Sequence, residues 1–374
     1  MLSPSGKMPK SGSISLIVLA VLAVAYTLHF LSSVFIPIIV ALLFAAFLEP
    51  IVRKMVAIKI PRILAIILAV SISLLIIALL LLIVIASLSE FFSYIANLTP
   101  RATIMINDLL ESDFLTNTLA HFNIDQEAVR QTFSISALLN RFISELSTTI
   151  LNFTNSGLTF FSSVFMITLF SVFFLMESHD FSSVVLHVMG SQSAKNFSDL
   201  GEEISVQIGR YLYVKTLVSI MTGVAIFIVA SITGLKFAMM WGLLGFLLNY
   251  IPVIGSAVVV IGIILASILQ FYSMPVPLFT NLIAMPLIQV IFGNIIDPRM
   301  QGKSLDISPS LVLISLSIWG AIWGIPGMFL SIPATVLIKI ILHKFDSTRN
   351  LAKLMGLKRQ EIIIETKEEP KHGN

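Results

Sequence analysis

Asn294-Ile295-Ile296-Asp297-Pro298-Arg299-Met300-Gln301-Gly302-Lys303-Ser304 is a polar stretch that opens onto a long apolar one, and the two together decide how the chain is read. From Pro309 onward no charged residue occurs before Lys339, and the run carries Trp319-Gly320, Trp323-Gly324, Pro326-Gly327 and Pro333. A straight helix over 309–342 would span about 50 Å at 1.5 Å per residue, whereas the hydrocarbon core of a bilayer is about 30 Å thick. The segment is too long for one upright crossing, and its Pro and Gly residues mark where it would break. Broken helices at membrane depth line cavities, because the freed backbone groups need partners that lipid does not supply.

The composition supports a membrane setting. Of 374 residues, 57% are hydrophobic and 11% charged, with a mean hydropathy of +0.98. A soluble domain carries about 25% charged residues. The net charge is +3, and the basic residues flank apolar runs, which gives no reason to expect nucleic acid as a partner. With no Cys, disulfides and thiolate chemistry are excluded. His29, His121, His179, His187, His343 and His372 lack ligand spacing, so neither a metal nor another cofactor is expected. Gly302-Lys303-Ser304 resembles the end of a phosphate-binding loop, but Asp297 stands where that pattern needs its first glycine. No zincin motif, nucleophile elbow or triad is visible, so no enzyme is indicated.

Taken in order, residues 1–13 read as a cytoplasmic N-terminus and 14–88 as scaffold spans 1–3. These spans cover Ile14–Leu31, Val34–Val52 and Ile63–Leu88; the first is read as retained rather than as a cleaved signal peptide. The short Ser32-Ser33 connection predicts a tight antiparallel hairpin, with Pro37 in the first turn of span 2. Arg53, Lys54, Lys59 and Arg62 place the next loop in the cytoplasm by the positive-inside rule. Residues 89–153 mix acids and bases with helically spaced apolar residues. They predict an extracytoplasmic helical insert, with Thr99-Pro100 starting a helix. Residues 154–176 are span 4, and 177–210 a cytoplasmic amphipathic helix that runs into span 5. Residues 211–342 form a transport region with broken spans, and 343–374 a cytoplasmic basic, disordered tail.

A second long run, 237–270, contains no charge and is interrupted by Asn249-Tyr250-Ile251-Pro252-Val253-Ile254-Gly255. Both runs place Trp-Gly ahead of Ile-Pro and a glycine, at different spacings. Paired interrupted segments point to a transporter's binding site. The expected fold is therefore an all-α polytopic membrane protein of about eight transmembrane segments, two of them broken or re-entrant (237–270 and 309–342), plus the insert. Candidates for the substrate pathway or gate are Asn249, Pro252, Gly255, Asn294, Asp297, Arg299 and Gly302. Candidates for a hinge or for helix packing are Gly320, Gly324, Pro326, Gly327 and Pro333.

Each candidate has a plainer reading. Asp297 and Arg299 could be solvated or paired in a turn at the water interface. Asn281 and Gln289 fit helix–helix hydrogen bonds worth about 0.6–2 kcal/mol each. Gly320 and Gly324 form Gly-x-x-x-Gly, a packing motif as well as a sliding surface. Among acids, Asp297, Asp306 and Glu49 are the candidates for ion coupling.

The chain resembles the autoinducer-2 exporter family of bacterial membrane transporters. The resemblance rests on Ile208-Gly209-Arg210-Tyr211-Leu212, on Asn249 through Gly255, and on Asp297 through Leu305 with Ser308-Pro309, Trp319-Gly320, Trp323-Gly324, Gly327-Met328 and Ile332-Pro333. Ser256 stands where the family often has Pro, and Glu49 where Asn is common. The resemblance implies a multi-pass protein of the bacterial inner membrane with both termini cytoplasmic. It also implies a homo-oligomer, with a pentamer as the form, and export of a small polar metabolite. A sodium/proton antiporter is the alternative reading, and a non-transporting membrane scaffold or regulator the next.

Overall fold

The computed structural model describes residues 10–110, 157–177, 191–301, 307–345 and 348–356, with isolated positions inside 111–156. The helices are α1 (Lys10–Phe30), α2 (Ser32–Ala57), α3 (Arg62–Leu110), α4 (Gly157–Glu177), α5 (Ser191–Thr233), α6 (Ala238–Leu248), α7 (Ile254–Phe271) and α8 (Pro275–Gln289). A π-helix (Val290–Ile296) then leads into α9 (Asp297–Gln301), followed by α10 (Pro309–Lys344) and α11 (Arg349–Leu354). Among the described residues, six helical stretches are long and apolar enough to cross a membrane, and Phe161–Glu177 and Ala238–Leu248 are shorter apolar helices. The described residues thus form an all-α polytopic membrane protein.

The chain divides into two compact units. One comprises Met1–Val70, Ser163–Leu212 and Lys303–Asn374. Its core packs Leu43, Ile208, Tyr211, Leu212, Trp323 and Leu330 together. In lipid, burying leucine against leucine gains little from water exclusion, so close approach at small residues matters more. At Gly209 an added Cβ would lie 3.1 Å from the Ala46 carbonyl oxygen, so α5 touches α2 backbone to backbone.

Within this unit α10 is two helices. Gly324 breaks it at φ 64° and ψ −139°, a conformation reserved for glycine. The arms fold back on each other: Ser315 Oγ donates to the Ser331 carbonyl at 3.0 Å and also bonds the Thr335 hydroxyl. Gly327 closes the tip, where a Cβ would stand 1.9 Å from the Trp319 carbonyl oxygen. Pro326 sits in the first turn of the second arm, where a missing N–H is harmless, and Pro333 is buried farther along that arm. The first arm, 309–323, is about 22 Å long at 1.5 Å per residue, too short to cross. The expected break is therefore a helical hairpin. The Gly-x-x-x-Gly pattern is no single packing face: Gly320 lies against Met328 of the opposite arm, and Gly324 has nothing within 4 Å.

The end of α1 holds this tip. His29 Nδ1 lies 2.6 Å from the Ile322 carbonyl, and Trp323 Nε1 donates to the Leu28 carbonyl at 2.9 Å. Because a carbonyl only accepts, Nδ1 carries the proton. The Ile322 carbonyl is orphaned because the residue four positions on is Pro326, which has no N–H. Leu28 lies one turn before the interruption at Leu31.

Four sequence expectations change. The tail expected to be disordered from 343 is helical to Lys344 and again over Arg349–Leu354, because the Ser308 amide bonds the Met355 carbonyl and holds that segment in place. Leu31 alone separates α1 from α2, at φ −94° and ψ 21°, and the amides of Leu31 and Phe35 still bond Thr27 and Leu31 carbonyls. One near-helical residue bends a helix but does not reverse it, so there is no tight hairpin here. Pro37 correspondingly lies inside α2, which starts at Ser32. Thr99-Pro100 does not start a helix, because α3 runs through it to Leu110; one proline removes one hydrogen bond and need not end a helix. Most of the predicted insert lies outside the described residues. By contrast, the predicted continuation of the amphipathic segment into span 5 is seen in the unbroken α5.

The second unit comprises Ser71–Ser162 and Tyr213–Gly302. Its core gathers Ile226, Met240, Trp241, Val259, Ile263, Met285 and Ile288. Phe91 of α3 meets Trp241 edge-on at 5.3 Å between centroids. After α5, Gly234 turns the chain at φ 72°, and Gln270 clips the turn by donating to the Gly234 carbonyl (2.7 Å) and accepting from the Lys236 amide (2.9 Å). α5 and α6 cross at a pair of glycines: a Cβ on Gly223 would lie 2.6 Å from the Gly242 carbonyl oxygen, and one on Gly242 2.8 Å from that of Gly223.

Candidate functional site

The 237–270 run is also a helical hairpin. α6 is 11 residues, about 16 Å long at 1.5 Å per residue, too short to cross. It ends because Pro252 offers no amide and clashes with the turn before it. Val253 forms a strained γ-turn at φ 62° and ψ −57°, with the Ile254 amide 2.6 Å from the Pro252 carbonyl. Gly255 then lets α7 start against α6, since a Cβ there would stand 1.8 Å from the Leu248 carbonyl oxygen.

This tip meets a polar stripe on α5. Lys215, Ser219 and Thr222, at i, i+4 and i+7, share one helical face and are all buried. Asn249 Nδ2 donates to Ser219 Oγ at 3.0 Å, and the Tyr250 and Thr216 hydroxyls are 2.7 Å apart. Thr222 is satisfied locally by the Val218 carbonyl at 2.8 Å.

The third component arrives from α8. Its helix widens into π geometry over Val290–Ile296, where the Asp297 amide bonds the Phe292 carbonyl. The wider turn comes just before Pro298, whose ring would clash with the carbonyl four residues back in a regular α-helix. Asp297 is thereby delivered to α5: its Oδ2 lies 2.9 Å from Lys215 Nζ, with side-chain exposures of 12% and 7%. Gln301 Nε2 donates to the other carboxylate oxygen. Asn249, Tyr250 and Asp297 therefore converge on about one turn of α5.

This arrangement corrects the reading of the opening stretch. Residues 294–301 are helical rather than a turn at the water interface. Asp297 is buried and paired with Lys215, while Arg299 and Asn294 are exposed. Gly302 and Asp306 lie outside the described residues. Pro252 and Gly255 shape the tip. Gly320, Gly324, Pro326, Gly327 and Pro333 build the other hairpin, in the other unit. Asn281 accepts a 3.2 Å bond from Thr233, the helix–helix role expected of it. Glu49 pairs with Arg53 at 2.9 Å, with Arg62 3.8 Å away.

Lys215, Thr216 and Ser219 were not among the sequence candidates. The signal for Lys215 was present, since it is the one charged residue between Arg210 and Lys236. An ionisable residue inside an apolar span marks function by default, and this one is a base, which candidates for ion coupling drawn from acids leave out.

Two glycine-closed hairpins, with a buried ion pair and amide–hydroxyl bonds within apolar helices, are features expected of a polytopic transport protein. The sequence profile described as AI-2E family transporter matches residues 16–347. The chain belongs to that family. It is 31% identical to the AI-2 transport protein TqsA of Escherichia coli K12, over 88% of this chain and 91% of that protein. It is 31% identical to a provisionally named transport protein of Haemophilus influenzae, over 90% and 94%. A provisionally named transport protein of Borreliella burgdorferi is 33% identical over 65% of each chain.

Proposed function

We propose that the protein is a secondary transporter that exports a small polar metabolite through the bacterial inner membrane, with both termini cytoplasmic and as a homo-oligomer. The observation that carries this reading is the convergence of Asn249, Tyr250 and Asp297 on Lys215, Thr216 and Ser219 within one turn of α5. Amide and hydroxyl groups there suit a polyhydroxylated molecule, which is recognised by hydrogen bonds. The similarity to a protein named for AI-2 transport makes autoinducer-2 the first substrate to test. The test is flux of labelled metabolites in proteoliposomes of the purified protein. Wild type is expected to move autoinducer-2, and Asn249→Ala to raise the half-saturating concentration about tenfold or more, the range for a lost bond in a buried polar site. Unchanged flux in Asn249→Ala, or absence of flux for every metabolite, overturns the reading; the latter result favours a membrane scaffold.

The buried Lys215–Asp297 pair favours one second reading, ion-coupled antiport. Under it, flux depends on a sodium or proton gradient, and Asp297→Asn abolishes that dependence. Equal flux with and without gradients excludes it.

A further inference from the structure

The end of the described chain carries a surface that the transport reading does not use. After α10 ends at Lys344, the chain turns into α11 and returns to the start of α10, where the Ser308 amide donates to the Met355 carbonyl at 3.2 Å. Thr348 Oγ1 donates to the Leu342 carbonyl at 2.8 Å. α11 is thus fixed at the end of the hairpin, with Ala352 fully buried beneath it. Its outward side is apolar: Leu351 is 55% exposed, Leu354 78% and the preceding Phe345 59%. Leu351 and Leu354, three residues apart, share a face. Around them His343, Lys344, Arg349 and Lys353 are exposed. Residues 339–359 hold seven basic or histidine side chains (Lys339, His343, Lys344, Arg349, Lys353, Lys358, Arg359) against one acid, Asp346.

Such a patch fits neither the hydrocarbon core, where each Lys or Arg costs about 2.5–3.5 kcal/mol, nor open water, which leaves the leucines uncovered. It fits the headgroup layer. There, apolar side chains reach the acyl boundary while cationic groups meet phosphates.

We infer that α11 and the end of α10 form a docking surface for the acidic phospholipid headgroups of the leaflet that Lys344 adjoins. Leu351 and Leu354 insert, and Lys344, Arg349 and Lys353 meet the phosphates. A free anion in solution would make no use of the leucines. The inference rests on the membrane location of the chain and not on the transport reading.

Because the chain has no Cys, Leu354→Cys accepts a single environment-sensitive fluorophore without background. The labelled full-length protein is placed in nanodiscs of phosphatidylcholine, alone or mixed with phosphatidylglycerol, with and without nitroxide-bearing lipid. The expected result is blue-shifted emission and nitroxide quenching in the anionic discs, both weakened by high salt. Each Lys or Arg adds about fivefold to partitioning onto an anionic surface. Replacing Lys344, Arg349 and Lys353 together by Gln should therefore bring quenching down to its level in neutral discs, with the protein still monodisperse. Equal quenching in neutral and anionic discs overturns the proposal. So does a blue shift without quenching, which would mean that protein rather than lipid covers the site.

Discussion

Val253 sits at φ 62° and is 61% exposed, so the strain at the first hairpin tip is not offset by burial. A β-branched residue in that region costs about 1–3 kcal/mol, and glycine carries no such penalty. Val253→Gly is therefore expected to preserve or raise thermal stability, against the usual direction of a Val→Gly change; a lower midpoint in a detergent melt would count against the γ-turn strain. The Lys215–Asp297 pair supports the opposite kind of expectation. Removing one partner of a buried pair leaves an uncompensated charge and costs about 3–5 kcal/mol, whereas replacing both can be nearly neutral. Lys215→Met and Asp297→Leu should each lower the midpoint strongly, and the double variant should recover much of the loss. Additive losses in the cycle would mean that the groups do not interact. Asp297 was legible as a candidate because a charged residue beside an apolar run stands out. Its pairing with Lys215 was not, because the two lie 82 residues apart and only folding brings them together.

At the scale of the element, two apolar runs use one solution to excessive length. Each is interrupted by a proline, and each closes on a glycine that lies against a carbonyl of its first arm. The positions of these breaks could be read from Pro and Gly in the sequence, since those residues change what the backbone can do locally. Gly255→Ala places a methyl group 1.8 Å from the Leu248 carbonyl oxygen, a backbone atom that has little room to yield. This change should abolish transport or assembly. Gly201→Ala is the control: it has nothing within 4 Å and lies in an exposed part of α5, where Ala stabilises a helix by about 1 kcal/mol relative to Gly. If both variants behave alike in yield and flux, the hairpin closure is not what Gly255 provides. The π-helix was not legible. Asn294–Ser304 is polar enough to read as a turn, and only the register of the backbone ahead of Pro298 shows that the helix continues. The same limit applies to Leu31, where residue types that suit a connection form a bend.

Over the whole chain, the apolar runs and the basic residues flanking them made the fold class and the spans readable, because both follow from transfer free energies summed over many residues. Which polar groups meet inside the spans depends on single contacts and left no comparable trace. The same charge pattern yields an expected topology. Ser5→Cys and Lys367→Cys, introduced singly into the Cys-free chain, should react with a membrane-impermeant maleimide in inverted vesicles but not in intact cells. Glu111→Cys, in the expected extracytoplasmic insert, should show the reverse. Labelling of both ends from outside would invert the orientation and remove the basis for an export direction.

The bonds between His29 and Ile322, and between Trp323 and Leu28, tie the second hairpin tip to α1 at two points. Each bond covers a carbonyl left without its helical partner by a proline or a bend, and leaving such a group bare in an apolar setting costs about 1–3 kcal/mol. Half-release would expose one of these carbonyls while the other bond still held the tip in place. Both bonds therefore oppose movement of the tip, and full release, which bares two carbonyls, costs more than the loss of either bond alone. Trp323, whose ring is tilted 41° to that of Trp319 at 4.9 Å, gives release an optical signal: the indole loses its hydrogen bond when the tip moves, and its emission should change.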